Sequence, residues 1–290
     1  MVKFGPAGQD DIFPTVHKKM TDMPAYLAAR GLTAFEYQCG HGVRVSEASA
    51  AALGEKAREH GVTISLHAPY YISLSSPEEE KRENSLGYIL KAARALNWMG
   101  GERVVVHSGS VGKGTRAQAT ELAVQTLTRA QKLLDEENLS HIRICPETMG
   151  KVGQLGDLGE VLTLCGVDER FLPCIDFGHL NARTGGKVND YEAMAAVLDA
   201  ITNTLGSERA RVFHAHFSKI EYGPKGETRH LTFENQVYGP SFEPLGRLLA
   251  ERDLSPTIIC ESKGSQIDDA AYMLQAYQKE AAKMSGNEIL

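Results

Sequence analysis

The stretch Cys174-Ile175-Asp176-Phe177-Gly178-His179 sets a carboxylate and an imidazole three residues apart, at the end of an apolar run that begins at Phe171. A carboxylate beside a neutral imidazole at a strand tip is a common way to hold a divalent transition metal. One Asp-x-x-His pair proves little by itself, but the pattern recurs. Similar apolar runs lead into His67-Ala68-Pro69-Tyr70-Tyr71, His107-Ser108-Gly109-Ser110 and Glu147-Thr148. Others lead into His214-Ala215-His216-Phe217-Ser218-Lys219 and Glu261, with Arg229-His230 in the loop between them. Of the ten histidines, His67, His107, His179, His214, His216 and His230 stand at or just after such ends. A lone His or Glu there is more often a hydrogen-bonded structural residue. Many of them crowded about one mouth are costly to bury unless paired or metal-bound. His17, His60 and His141 lie away from these ends and read as surface residues, and His41, between Gly40 and Gly42, reads as part of a turn.

The elements that must position these residues follow from periodicity. Short β-branched, apolar runs predict eight strands, at Val2–Pro6, Ala34–Cys39, Thr63–Ala68, Arg103–His107, Ile142–Pro146, Leu172–Asp176, Arg211–His216 and Thr257–Glu261. Between them, apolar residues at three- and four-residue spacing predict helices over Glu47–Glu59, Pro77–Met99, Thr115–Glu137 and Asp190–Thr204. Shorter helices are expected at Asp157–Cys165 and Phe242–Glu251, and Asp268–Met284 closes the chain. Eight alternating units with nearly continuous apolar strands point to an α/β fold, a single (β/α)8 TIM barrel over residues 1–290 with its site at the C-terminal ends of the strands. An open doubly wound sheet is disfavoured, because no G-x-G-x-x-G follows the first strand. Gly112-Lys113-Gly114-Thr115 lacks P-loop spacing and reads as a turn.

Composition narrows the class. With 42% apolar and 23% charged residues the chain is an ordinary globular protein, and a net charge of −6 argues against a generally basic nucleic-acid binder. The five cysteines show no CxxC or CxH spacing, which suits a reducing cytoplasm better than a disulfide framework. No signal peptide and no apolar run near the roughly 20 residues of a membrane span is read from the sequence. The expectation is a cytoplasmic protein with no membrane association and no obligatory protein partner.

The strand-end motifs resemble those of endonuclease IV (AP endonuclease family 2) and its relatives in the xylose-isomerase-like TIM-barrel superfamily, in strand order from about Val2 to Glu261. His67-Ala68-Pro69-Tyr70 matches that family's His-Ala-x-Tyr, and His107-Ser108-Gly109-Ser110 its His-Pro-Gly-Ser. Glu147-Thr148, Asp176-Phe177-Gly178-His179 and the final Glu261 match in turn. His214 with Ser218-Lys219 matches His-x-x-Asp-Ser-Lys, with His216 and Phe217 where the family has Asn and Asp. Arg229-His230 matches the end of Asp-Arg-His, with Thr228 in place of the Asp and Glu227 beside it.

The resemblance implies two or three Zn2+ ions, with Mn2+ also suited to such donors. His67 and His107 would hold one, sharing Glu147 with a second that also uses Asp176, His214 and Glu261; His179 and His230 would hold a third. It implies hydrolysis of the phosphodiester 5′ to abasic sites in duplex DNA, a DNA-repair activity, with Glu147 and Glu261 as catalytic ligands. Tyr70 and Tyr71 would enter the DNA minor groove, and Lys219 and Arg229 would contact phosphates. The rival within the superfamily is a single-metal sugar isomerase or epimerase, using the quartet Glu147, Asp176, His214 and Glu261. A metal-binding barrel without catalysis is a third possibility.

Overall fold

The computed structural model describes residues 1–284. Its strands are β1 (Lys3–Pro6), β2 (Ala34–Gln38), β3 (Thr63–His67), β4 (Arg103–Val106), β5 (Arg143–Pro146), β6 (Cys174–Asp176), β7 (His214–Phe217), β8 (Lys219–Gly223), β9 (Gly226–Leu231) and β10 (Thr257–Cys260). All but β8 and β9 are parallel and run around a barrel as two arcs, β2-β3-β4-β5 and β6-β7-β10-β1. Single parallel bridges close the two seams, Ala7 with Glu36 and Glu147 with Cys174. At the first seam the strands approach so closely that a Cβ on Gly5 would stand 1.7 Å from the Ala34 carbonyl oxygen. Glycine is needed there for want of space.

Helices Glu47–Glu59, Glu79–Met99, Arg116–Glu136, Leu158–Cys165, Tyr191–Leu205, Glu243–Glu251 and Gln266–Met284 cover the outside. The turn read at Gly112-Thr115 leads into one of them, since Thr115 and Gln118 form a reciprocal capping box. Pro77 lies two residues ahead of its helix, whose N-cap is Glu78.

The strand sequences are explained by two apolar sets of different size. Leu66, Val104, Ile144, Ile175, Ala215 and Ile258 belong to the large core between sheet and helices. Their alternate neighbours face the barrel interior, where Val105, Cys145, Leu172 and Cys174 form a small separate cluster. Below it the interior is polar: the Lys3 ammonium donates to Thr63 Oγ1 at 2.8 Å and the Arg103 guanidinium to the Phe213 carbonyl at 3.3 Å. Above it stand His67, Glu147, Asp176, His216 and Glu261. The barrel thus carries these five residues on a small apolar plug.

Two elements depart from the expected order. Phe177–Arg183 is a helix that springs directly from β6, with Asp176 as its N-cap accepting the His179 backbone N–H at 2.6 Å. One helical turn is what brings Asp176 and His179 onto the same side. The segment expected as a loop after the seventh barrel strand is the antiparallel hairpin β8–β9. Its polar, charge-rich sequence hides it from a search for apolar runs.

Candidate metal centre

Glu147, at the end of β5, is the hub. Its Oε2 lies 3.3 Å from His67 Nε2 and 3.1 Å from His107 Nε2. Its Oε1 lies 3.0 Å from His216 Nδ1 and 3.4 Å from His179 Nδ1. His216 Nδ1 is also 3.4 Å from Glu261 Oε1, and His179 Nδ1 is 3.3 Å from Asp176 Oδ2. Four sets of potential ligand atoms, each within 4.8 Å of one another, result: His67, His107 and Glu147; Glu147, Asp176, His216 and Glu261; His179, His230 and Glu261; and, fully buried, Cys174, His214 and His216.

The hairpin supplies a further carboxylate. Glu221 pairs with Arg229 but Tyr222 pairs with Glu227, so Thr228 is an extra residue in β9, a bulge. The bulge breaks the alternation of faces and puts Glu227 on the side of His230. Glu227 Oε2 is 3.5 Å from His179 Nε2, and Oε1 is 3.8 Å from His230 Nε2. Room for it depends on Gly150, where a Cβ would meet Glu227 Cβ at 2.6 Å. That loop is pinned by Arg183, whose guanidinium donates to the carbonyls of Met149, Lys151, Val152 and Gln154. Neither Gly150 nor Arg183 carries a sequence signal that would have singled it out.

His214, expected among the ligands that share Glu147, falls instead in the buried set with Cys174 and His216. It is fully buried one strand step below His216, and its Nε2 lies 3.0 Å from Glu36 Oε2. Residues two apart on a strand share a face at different depths, and the upper one, His216, reaches the carboxylates. Glu36, a lone charge in the apolar run of β2, was also missed. It is fully buried and takes a hydrogen bond from Ser65 at 2.9 Å and one from Gln38 at 3.2 Å.

Electrostatics separate these groups. Burial pushes the Glu147 carboxyl up, but His216, His107 and His179 outweigh it and hold it well below the usual carboxylate range. Burial likewise opposes His216 in bringing Glu261 down to about 2. Asp176 is the exception: burial, reinforced by Glu261 and Glu147, raises it to about 6. Its Oδ2 is buried with no hydrogen-bond partner among the described residues. His179 Nδ1, 3.3 Å away, is hydrogen-bonded to the Thr148 carbonyl at 2.9 Å instead, and a carboxylate oxygen left beside Glu147 and Glu261 in a dry site calls for a proton or a cation. Imidazole and carboxylate donors suit a divalent ion such as zinc or manganese, and the arrangement fits one.

Burial disfavours the charged forms of His179 and His216. For His179 the nearby Asp176, Glu147 and Glu227 win, and for His216 Cys174, Glu261, Glu36 and Glu147 do; both rings are held well above the usual histidine range. A metal bound here would therefore displace protons from the metal-free protein. We expect zinc binding near pH 7 to release protons, and affinity to fall about tenfold per pH unit per proton displaced as pH drops. Calorimetry in buffers of differing ionisation enthalpy measures this, and heats independent of the buffer would contradict it.

The rim holds the remaining expected residues unevenly. Tyr70, 52% exposed, stacks on His107 with ring centroids 5.4 Å apart, and Tyr71 sits edge-on to Tyr88 farther out. Tyr70, Lys151, Arg229 and Lys263 line a cavity of about 790 Å³ above the carboxylates. Lys219 does not reach it: its ammonium is held by the carbonyls of Phe233 and Asn235, at 2.9 and 2.5 Å, clasping the loop after β9. No helix among the described residues is long and apolar enough to cross a membrane.

A parallel eight-stranded barrel with imidazoles and carboxylates gathered at its C-terminal mouth defines a TIM barrel with candidate metal-binding clusters. The sequence matches the model of the xylose isomerase-like TIM barrel family over residues 24–284, and the chain belongs to that family. It is 36% identical over 250 residues to an uncharacterized protein of Methanocaldococcus jannaschii, covering 86% of this chain and 88% of that one. It is 28% identical over 191 residues to a probable endonuclease 4 of Mycoplasma pneumoniae, covering 64% of this chain and 63% of that one. Its fold is similar to the crystal structure of a D-tagatose 3-epimerase-like protein, with a TM-score of 0.73, 19% identity and coverage of 98% of this chain and 100% of that one.

Proposed function

We propose that the chain is a metal-dependent phosphodiester hydrolase of the endonuclease IV kind, cleaving duplex DNA 5′ to abasic sites. The observation that carries this reading is the number of donors. Nine side chains, His67, His107, Glu147, Asp176, His179, His216, Glu227, His230 and Glu261, adjoin one another, where a one-metal isomerase needs four. Glu227 restores the carboxylate that Thr228 removes from the Asp-Arg-His pattern. Zinc is the ion this donor mixture suits best, in two or three positions around Glu147. Bound there, such ions supply Lewis acidity, bringing a water's pKa towards 7 and neutralising charge on phosphoryl oxygens.

The chain's own residues do the rest. Glu261, partly open to the cavity, is placed to orient an attacking water. Tyr70 offers a flat, exposed ring braced on His107, a platform for an unpaired base or an emptied stack. Lys151, Arg229 and Lys263 bring positive charge to the cavity wall of an otherwise acidic protein. A single-metal sugar epimerase remains the second reading, because Glu147, Asp176, His216 and Glu261 form a complete four-donor group by themselves.

The test is incision of a duplex oligonucleotide carrying one abasic-site analogue, with zinc-loaded protein and a His107→Ala control. Incision 5′ to the lesion, lost in the control, is the expected result. A protein that holds one metal per chain and leaves the duplex intact would overturn the nuclease reading in favour of the epimerase.

A further inference from the structure

We infer that Glu36 is a positioning residue: its carboxylate holds the rings of His214 and His216 by their Nε2 atoms, so that His216 presents Nδ1, and only Nδ1, to the metal centre. This rests on the metal reading of the site. His216 Nε2 lies 3.0 Å from Glu36 Oε1 and His214 Nε2 lies 3.0 Å from Glu36 Oε2, so the carboxylate forks between two histidines. All three side chains have zero solvent exposure. On the opposite edge of the same ring, His216 Nδ1 faces Glu147 Oε1 at 3.0 Å and Glu261 Oε1 at 3.4 Å. A neutral imidazole carries one N–H, and both nitrogens of His216 stand beside a carboxylate; a cation held by Glu147 and Glu261 would take the Nδ1 lone pair and leave the one proton on Nε2, beside Glu36. With Nε2 against Glu36, the lone pair sits on Nδ1, which points at the donors of the candidate centre.

The contact from His216 to Glu36 is short but bent, and Nε2 has no in-line hydrogen-bond partner among the described residues. What holds the ring there is a charge–dipole contact in a dry interior, and a fixed charge does this better than a neutral amide. Glu36 is itself fixed by Ser65 and Gln38, and the parallel bridge from Glu36 to Ala7 ties it to the barrel seam. His214 occupies the second oxygen, which leaves the first for His216. This gives the lower histidine of His214-Ala215-His216 a role without making it a ligand: it completes the carboxylate's coordination from below. A carboxylate–histidine–metal arrangement of this sort fixes both tautomer and ring angle, and disturbing it typically costs 10–100-fold in metal affinity.

The experiment reads tautomer and metal affinity rather than turnover. Long-range 1H–15N correlation spectra of zinc-loaded wild-type protein, with His216 identified by loss of its signals in His216→Gln, should show the Nε2–H form. A His216 ring protonated at Nδ1 would overturn the inference without any variant of Glu36. Competition with a chromophoric chelator should then show Glu36→Gln weaker for at least one Zn2+ by about 10–100-fold. Thermal unfolding of the metal-free variant checks that it remains folded. A folded Glu36→Gln with wild-type zinc affinity would also overturn the inference. Wild-type protein that takes up no zinc would instead sink the metal reading on which it rests.

Discussion

Glu147→Gln should abolish tight metal binding at two positions at once and reduce hydrolysis on the order of 10³-fold, the rate equivalent of about 4 kcal/mol. The size of the effect follows from its place. Four imidazoles, those of His67, His107, His179 and His216, lie 3.0 to 3.4 Å from its two oxygens, and no other residue joins the first ligand set to the second. The amide keeps the shape and loses the charge, so the change tests electrostatics rather than packing. In the metal-free protein the substitution also removes the partner that holds the His67 ring above its usual range against burial. Protonation of the mouth histidines should then shift to lower pH, a second readout independent of turnover. Inductively coupled plasma analysis of the dialysed protein gives the metal count, and oligonucleotide incision gives the rate. A variant that retained both full metal content and activity would show that the centre is not organised about Glu147.

The barrel was legible in the sequence because its evidence is repetitive. Eight apolar runs spaced by helical patterns leave few alternatives, and each of the eight barrel strands begins and ends within three residues of the expected run. Most of the site was legible for a related reason. His67, His107, Glu147, Asp176 and Glu261 each terminate an apolar run, and a polar residue at such a point must face the mouth. What stayed hidden depends on depth and on irregularity. His214 and His216 belong to the same face by period two, and sequence does not say which of two inward residues stands higher in the barrel. Glu36 looked like an interruption in a strand, because its partners arrive from β3 and β7, far away in the chain. Lys219 was assigned by its neighbours in a motif, yet a lysine's long stem lets it serve carbonyls on the far side of its own hairpin. Glu227 was noticed only as the neighbour of Thr228, since a bulge is a one-residue event with no composition of its own.

That bulge underlies the second large effect. Glu227→Ala should remove one of the bound ions and slow hydrolysis on the order of 10²-fold, whereas Thr228→Ala should change the rate by no more than about twofold. The contrast is the informative part. Thr228 occupies the position at which the related motif has its carboxylate, and if motif position governed function it would be the sensitive residue. In the structure Thr228 is exposed, the unpaired residue of β9, while Glu227 turns inward to within 3.5 Å of His179 and 3.8 Å of His230. Chain length agrees with this assignment: a glutamate has one more methylene than an aspartate, enough to reach the pair from the adjoining position. The single-metal epimerase reading makes the opposite prediction for metal content, because Glu227 lies outside the group of Glu147, Asp176, His216 and Glu261. Removing Glu227 would then leave the ion count of an epimerase unchanged. Metal analysis of the two variants beside wild type thus distinguishes a centre that extends onto the hairpin from one confined to the barrel strands.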